Sequence, residues 1–367
     1  MRKNYILQIL IEKIVFIIGC NLMLKVSTLN DFKGKVQAGF DNNKESMAVY
    51  GENHSTQLKA YLIETNNPFS ASGCPDGKWK KLDAEDWYVN QFGNKPYSLF
   101  LDASRERVWI IYSLLDSDDT KQALNSWIAN SQGFDNCWLS RRQLLQWENR
   151  ESWIQRGFGF KFEDGLYSKE NAGNFSLKGW YRSNRSIEGL DKIIEIAKDN
   201  FAIHSARWEK RRDDSIVLSS EWYSNGRVTI NNAKSVDETL LSISEVASRY
   251  EDSLTEATKL RDESMGAFEI DFTQPVDLEA FSEKVMKGTG NMKLWLVETE
   301  SEEDFKRYKG IDLHTWDRVF LDLGPDFAYL TVPGKGCVNA APRIATIQGE
   351  NSAGNTSIYH DGVEIFV

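Results

Sequence analysis

The strongest constraint on the fold comes from a stretch near the middle of the chain, where two strand-like runs are followed by a helix start. Residues 216–223 and 227–230 are rich in β-branched and aromatic side chains. Asn225-Gly226 lies between them and favours a tight hairpin, because such turns need residues that accept positive φ. Ser235-Val236-Asp237-Glu238 then matches a capping box. The stretch therefore predicts an antiparallel hairpin followed by a helix.

Similar patterns occur on both sides of this stretch. Strand-like runs are expected at 58–65, 97–101 and 108–115, and a helix capped by Asp118 or Asp119 is expected to follow them. The last hundred residues again show a strand, a helix and a strand. Runs of strands mixed with helices in this order favour an α+β architecture.

A chain of 367 residues is long enough for two or three domains. The Gly-rich residues 157–165 and the polar residues 168–173 predict a boundary between domains. We therefore expect a multi-domain α+β protein, with antiparallel or mixed sheets that are each packed with helices. The expected segments are an apolar N-terminal segment (1–23), an N-terminal α/β module (24–166), a central module of β-sheet and helices (167–264) and a C-terminal α+β module (265–367).

The N-terminal segment is apolar but interrupted by charge. Its longest uncharged run, residues 14–24, is shorter than the roughly 18–20 residues that a membrane span needs, so no transmembrane span is predicted. Three interpretations remain open. They are an over-extended translation start with Met23 as the true beginning, a helix packed on the body, and an export signal in which Cys20 would carry a lipid.

The formal net charge of −10 excludes a globally basic protein of the histone type. The four cysteines are widely spaced and form no C-x-x-C pair. Such spacing is typical of a reduced protein rather than of a disulfide framework. We therefore expect a cytoplasmic protein.

The first candidate site is a thiol centre near the C-terminus. A cysteine nucleophile needs a base within hydrogen-bond reach and a group that orients this base. Cys337 can supply the thiol, His314 or His360 the base, and Asp312 or Asp317 the orienting carboxylate. The set Cys337, His314 and Asp317 is the catalytic hypothesis.

No metal site or cofactor is predicted. Asp312-x-His314 and His360-Asp361 offer ligand types, but no second cysteine lies nearby and no H-x-x-x-H pair is present. Residues 333–337 lack the spacing and the hydroxyl of a phosphate loop, and residues 157–159 lack the third glycine of a dinucleotide fingerprint.

The second candidate is a basic region between Trp138 and Arg212, which holds 15 lysines and arginines against 10 aspartates and glutamates. Arginine beside aromatic side chains can neutralise phosphates, stack on bases or anchor a protein interface. The predicted binding residues are Arg141, Arg142, Trp147, Arg150, Arg182, Arg185, Arg207, Trp208, Arg211 and Arg212.

No motif fixes a reaction, so the sequence leaves open whether the chain is an enzyme. The leading hypothesis is a soluble intracellular binding or assembly protein whose basic, Trp-rich central region contacts a protein or nucleic-acid partner. Arginines would steer the partner by charge and tryptophans would supply anchor area. The alternative hypothesis is a thiol-dependent hydrolase that uses Cys337 with His314 or His360. The oligomeric state does not follow from either hypothesis.

Overall fold

A computed structural model describes residues 26–50, 58–66, 79–92, 95–115, 117–148, 150–164, 173–180, 202–213, 215–264, 266–286, 292–352 and 354–367. The predictions for the N-terminal segment 1–23, for Cys20 and for the binding residues Arg182 and Arg185 lie outside the described residues.

The first of two antiparallel sheets has eleven strands and is built from the first two thirds of the chain. Its strands are β1 (Lys59–Thr65), β2 (Lys80–Lys81), β3 (Trp87–Phe92), β4 (Lys95–Asp102), β5 (Val108–Ser113), β6 (Phe134–Asn136), β7 (Trp153–Asp164), β8 (Gly173–Trp180), β9 (Ile203–Arg212), β10 (Ser215–Tyr223) and β11 (Arg227–Ala233). Their order across the sheet is β2-β3-β4-β5-β1-β11-β10-β9-β7-β8, and β6 pairs with β1. Every residue of β1 is buried, so both faces of the sheet are covered at this strand.

The second sheet has seven strands and is built from the last hundred residues. Its strands are β12 (Phe268–Phe272), β13 (Leu294–Glu302), β14 (Phe305–Asp312), β15 (Arg318–Leu323), β16 (Phe327–Thr331), β17 (Thr356–His360) and β18 (Val363–Ile365). They are ordered β13-β14-β15-β16-β12-β17-β18. Its strands alternate buried and exposed residues, as in β15 and β16, so one face packs inward and the other faces solvent.

The described helices are α1 (Leu29–Tyr50), α2 (Ser117–Asn130), α3 (Arg141–Leu144), α4 (Val236–Ser264), α5 (Leu278–Met286) and α6 (Ala340–Ser352). The long helix α4 buries one face, which includes Ile243, Val246 and Tyr250. A single apolar core joins these residues to side chains from both sheets, such as Leu62 and Leu321. Two antiparallel sheets combined with helices make the fold α+β.

The central hairpin and the helix start that follows it are confirmed. β10 and β11 pair as an antiparallel hairpin, and the Glu238 amide donates to the Ser235 hydroxyl at the start of α4. Gly226 has a φ of 75°, whereas Asn225 is not among the residues with positive φ. The loop is therefore a three-residue turn closed by a left-handed glycine rather than the two-residue turn that Asn-Gly alone suggests.

The glycine-rich residues 157–165 do not separate two sheets. Residues 157–164 belong to β7, which pairs with β8 on one side and β9 on the other. A Cβ atom on Gly159 would lie 2.5 Å from the hydroxyl oxygen of Ser205, so glycine allows two strands to approach closely here. Residues 24–166 and 167–264 contribute strands to one continuous sheet, which crosses the boundary expected at 166.

Within the described ranges, no helix combines the length and the apolar character that crossing a bilayer requires.

Candidate functional site

A cluster of three chemically reactive side chains lies where the two sheets meet. Glu64 is on β1 of the first sheet, His314 is in the turn between β14 and β15 of the second sheet, and Cys337 precedes α6. The three side chains are 0%, 0% and 2% exposed. Their ligand atoms all lie within 4.8 Å of one another. We call these three residues the junction cluster.

The carboxylate of Glu64 is the centre of the cluster. Its Oε1 atom accepts hydrogen bonds from Arg107 Nη2 at 2.6 Å and from the Cys337 thiol at 3.4 Å. Its Oε2 atom lies 3.1 Å from His314 Nε2. Arg107 Nη2 also lies 3.8 Å from Cys337 Sγ. One carboxylate therefore contacts a thiol, an imidazole and a guanidinium.

Two polar atoms of the cluster are buried without a hydrogen bond. Glu64 Oε2 is close to His314 Nε2 but not in hydrogen-bond geometry, and His314 Nδ1 has no partner among the described residues. Buried polar atoms in folded proteins nearly always have a partner, so each exception needs an explanation. These two are among sixteen such side-chain atoms in the described residues, and they lie together in the junction cluster.

Burial and charge set the protonation of the thiol. Burial raises the pKa of Cys337 well above its usual value, and the nearby Glu64 carboxylate raises it further, while Arg107 acts in the opposite direction. Burial also disfavours the charged form of Arg107, but Glu64, Cys337 and Glu251 together more than offset this effect, so the pKa of the guanidinium is raised. The resting cluster therefore holds a protonated thiol beside a carboxylate and guanidinium pair.

The cluster connects to solvent along its Arg107 side. The Arg107 side chain is 22% exposed. Asn66 follows the end of β1, is exposed, and has its Nδ2 atom 3.5 Å from His314 Nε2.

A second layer of buried ion pairs fixes the turn that carries His314. Asp312 Oδ1 accepts from the His314 backbone amide and from Arg343 Nη1, both at 2.9 Å. Arg343 Nε also lies 3.0 Å from Asp135 Oδ2 on β6, which pairs with β1 opposite Glu64. Despite burial, Arg343 holds the pKa of Asp312 below its usual range. The turn is thereby tied to both sheets.

Lysine and tyrosine side chains add further links across the junction. Lys293 Nζ donates to the carbonyls of Ile128 and Phe134 at 2.7 and 2.6 Å. The Tyr250 hydroxyl on α4 donates to Asn339 Oδ1 at 2.5 Å. These contacts hold α4, the second sheet and the segment before α6 in fixed positions around the cluster.

The structure brings together two of the three predicted catalytic residues. Cys337 and His314 are neighbours, but no contact joins the Asp317 side chain to His314 among the described atoms. The carboxylate at the imidazole is Glu64, because the Gly133 amide donates to the His314 carbonyl and the Gly133 carbonyl accepts from Asn66, which holds the end of β1 against this turn. The alternative base, His360, contacts the Ser264 hydroxyl at 2.7 Å and the Ala267 carbonyl at 3.1 Å instead.

Sequence reasoning missed Glu64 and Arg107. A signal for Glu64 was present, because a carboxylate inside the apolar run Lys59–Thr65 needs a partner when the strand is buried on both faces. Arg107 had no comparable signal, since the polar residues 102–107 between two strands are typical of a solvated loop.

The predicted tryptophan anchors are core residues. Trp147 and Trp208 are each 1% exposed, and the Trp208 indole donates to the Leu144 carbonyl at 3.0 Å. Trp147 stacks on Trp153 with a centroid distance of 4.3 Å. The expectation that these indoles present anchor area to a partner is wrong, because the aromatic side chains fill the space between the first sheet and its helices.

Four of the predicted arginines form ion pairs with carboxylates of the same chain. The pairs are Arg142 with Glu364, Arg150 with Glu245, Arg211 with Glu209, and Arg212 with Glu238, at N to O distances of 2.6, 2.5, 3.3 and 2.6 Å. Arg207 donates to the Ser219 hydroxyl at 3.4 Å. Arg141 and Arg142 line a cleft of about 470 Å³ between α3, α6 and the β17–β18 hairpin. The local excess of positive charge is therefore smaller in space than along the chain.

Comparison with known proteins gives a family. The chain is 25% identical over 338 residues to protein MJECL33 of the archaeon Methanocaldococcus jannaschii, an alignment that covers 78% of this chain and 82% of the relative. No solved structure matches. The model of the MJECL33-like protein family matches residues 23–352, which include all three residues of the junction cluster, so the chain belongs to the MJECL33-like family.

Proposed function

We propose that the protein is a thiol-dependent hydrolase whose reaction centre is the junction cluster. The observation that supports this proposal is the hydrogen bond from the buried Cys337 thiol to Glu64, since a carboxylate that accepts the thiol proton can act as its general base. The guanidinium of Arg107 lies beside the cluster, with Nη2 3.8 Å from Cys337 Sγ, and brings a positive charge close to the sulfur.

The first half of the proposed reaction acylates the sulfur. Cys337 Sγ attacks the carbonyl carbon of an ester, thioester or amide, and its proton passes to Glu64 as the carbon–sulfur bond forms. The carbonyl π electrons move to oxygen, where the charge of Arg107 stabilises them. When this adduct collapses, the bond to the leaving group breaks and the leaving group takes the proton from Glu64.

The second half releases the acid. Water attacks the thioester carbon and gives one proton to Glu64, and the carbon–sulfur bond then breaks. The sulfur takes the proton back, so the protonated thiol is restored. Because burial raises the pKa of Cys337, the proposal uses proton transfer during attack rather than a preformed thiolate. His314 acts as a positioning residue, since its imidazole contacts the second oxygen of Glu64.

The test compares hydrolysis of p-nitrophenyl acetate, an acetyl thioester and a peptide anilide by the full chain and its variants. Cys337→Ala should abolish turnover, and Glu64→Gln should lower kcat about 10²- to 10⁴-fold, the usual contribution of a general base. Cys137→Ala is the matched control, because Cys137 is also fully buried but does not belong to the junction cluster. Equal rates for Cys337→Ala and the wild type, or no hydrolysis of any of the three probes, would overturn the proposal.

Partner binding is a second candidate function, and the cleft beside Arg141 and Arg142 supports it. The Arg142 side chain is 62% exposed, so an anionic partner could compete with Glu364 for it. A mobility-shift titration against single- and double-stranded nucleic acid at two salt concentrations tests this candidate. Salt-sensitive binding that is lost in the double variant Arg141→Ala, Arg142→Ala would support it, and binding that is absent or unchanged would reject it.

A further inference from the structure

We propose that Glu64, His314 and Cys337 also form a zinc site, with one coordination position open toward Asn66 and Arg107. The inference uses the residues of the proposed reaction centre but does not depend on hydrolysis. It begins from the ligand types, because thiolate, imidazole and carboxylate are the three side-chain donors that zinc binds in proteins.

The donor atoms lie close enough to surround one zinc ion, and one of their distances matches an edge of a zinc tetrahedron. With zinc bonds of about 2.3 Å to sulfur and about 2.0 Å to nitrogen and oxygen, tetrahedral angles give edges of about 3.5 Å for oxygen to sulfur and about 3.3 Å for nitrogen to oxygen. The distance from Glu64 Oε2 to His314 Nε2 is 3.1 Å, close to the nitrogen to oxygen edge. The ligand atoms of all three residues lie within 4.8 Å of one another, so Cys337 has to move closer to bind the same ion.

An independent observation is the missing hydrogen bond at Glu64 Oε2. This oxygen is fully buried, faces an imidazole nitrogen at 3.1 Å and accepts no hydrogen bond within the described part of the chain. A carboxylate oxygen in that position is costly to bury unless a cation satisfies it. A zinc ion bound between Oε2 and His314 Nε2 would supply the missing partner of Oε2.

Arg107 would not bind the zinc ion but would hydrogen-bond to Glu64, one of its ligands. It donates to Oε1 at 2.6 Å and leaves Oε2 free for the ion. Carboxylates that bind metals are commonly held by such a second hydrogen bond, which fixes their orientation. The buried pair of Arg343 and Asp312 in turn fixes the His314 turn, because Asp312 also accepts from the His314 amide.

The donor set selects the metal. A sulfur and an imidazole ligand favour zinc over calcium or magnesium, which prefer oxygen donors. Three protein ligands leave a fourth position for water or a small ligand, as in zinc sites that bind substrates. With zinc bound, Cys337 is a metal ligand and not a nucleophile, so zinc is expected to inhibit the thiol reaction proposed above.

The test uses the full chain after treatment with a chelator and its removal. Zinc binding is measured by competition with a coloured chelator, and cobalt binding by the charge-transfer absorption that a thiolate ligand produces. We expect one zinc ion per chain. We also expect a loss of affinity of more than about tenfold in each of Cys337→Ala, His314→Ala and Glu64→Gln, since even outer-shell changes cost this much. Cys137→Ala is the control and should bind like the wild type.

The outcomes separate this inference from the proposed function. Stoichiometric zinc that depends on the three residues supports the site, whether or not the metal-free chain hydrolyses the probes. A charge-transfer band that survives Cys337→Ala, binding that none of the three substitutions weakens, or no stoichiometric zinc would overturn the site and leave the hydrolase proposal to its own test. Circular dichroism tests whether each variant is folded. If Cys337→Ala does not fold, Cys337→Ser replaces it.

Discussion

Arg343 and Asp312 form a two-point ion pair that is closed off from solvent. Arg343 Nη1 and Nη2 donate to Asp312 Oδ1 and Oδ2 at 2.9 and 2.8 Å, and the two side chains are 0% and 1% exposed. The same guanidinium reaches Asp135 on the first sheet. One side chain on α6 therefore links both sheets directly behind the junction cluster.

Substitution of Arg343 by methionine should strongly destabilise the fold. The change keeps much of the side-chain volume but leaves Asp312 and Asp135 buried without their counter-charge. Removing one partner of a buried pair costs about 3–5 kcal/mol. Urea unfolding followed by circular dichroism measures the free energy of unfolding.

The control for this prediction is the exposed pair of Arg307 and Asp322, in which Nε and Oδ1 lie 2.8 Å apart. Arg307→Met removes the same chemical group from the surface, where solvent screens the charge, so the free energy of unfolding should hardly change. Equal losses for Arg307→Met and Arg343→Met would show that burial of the Arg343 pair does not matter.

A second prediction tests the role of Trp208. Trp208→Ala should lower the free energy of unfolding by about 3–5 kcal/mol, because it leaves a large cavity in the core and removes the hydrogen bond to the Leu144 carbonyl. Trp295→Ala is the matched control, since the Trp295 side chain is 57% exposed on the second sheet. If Trp208→Ala costs no more than Trp295→Ala, Trp208 is not a core residue.

The sequence predicted turns and helix starts correctly where a few neighbouring residues determine them. The hairpin at Asn225-Gly226 and the helix that starts after Ser235 are both present. Each depends on side chains within four residues of one another.

The partners of the candidate site could not be predicted in the same way. Cys337 and Glu64 are 273 residues apart, and Cys337 and Arg107 are 230 apart, so only the meeting of two sheets makes them neighbours. Residue type alone singled out Cys337 and His314. The choice between Asp317 and Glu64 needed the register of β1 against β6.

The basic region between Trp138 and Arg212 shows that the sequence alone could not predict the local charge of the folded protein either. Counting residues along the chain gives an excess of positive charge between Trp138 and Arg212. The carboxylates that neutralise it, Glu238, Glu245 and Glu364, lie outside that window and fold back onto it. Charge segregation in sequence is therefore not charge segregation in space.

A third prediction concerns pH and Tyr61. Burial raises the pKa of Tyr61 from 10.0 to about 12. The unfolded chain therefore releases the Tyr61 proton at lower pH than the folded chain does. The contribution of Tyr61 to the free energy of unfolding is complete below pH 10 and is lost as the pH rises toward 12. The loss amounts to about 1.4 kcal/mol per pH unit from this residue.

Tyr61→Phe should remove that part of the pH dependence. The Tyr61 hydroxyl has no hydrogen-bond partner among the described residues, so its removal should change the free energy of unfolding near pH 7 by less than about 1 kcal/mol. Urea unfolding of both proteins across the alkaline range gives the two slopes. Identical slopes for wild type and Tyr61→Phe would show that Tyr61 ionises equally in both states.

The last prediction concerns Gly226, whose turn lies against β1. Gly226 has a φ of 75°, and a Cβ atom there would lie 2.7 Å from the Cys137 carbonyl oxygen. Its own carbonyl accepts from the Leu62 amide, two residues before Glu64. Gly226→Ala should therefore cost about 1–3 kcal/mol in stability, because it combines backbone strain with a steric clash. Gly34→Ala, at an exposed position of α1, has nothing within 4 Å of the new atom, so it should stabilise the fold by about 0.5–1 kcal/mol. Thermal unfolding of the two variants should shift in opposite directions, and a shared direction would contradict the strained geometry of this turn.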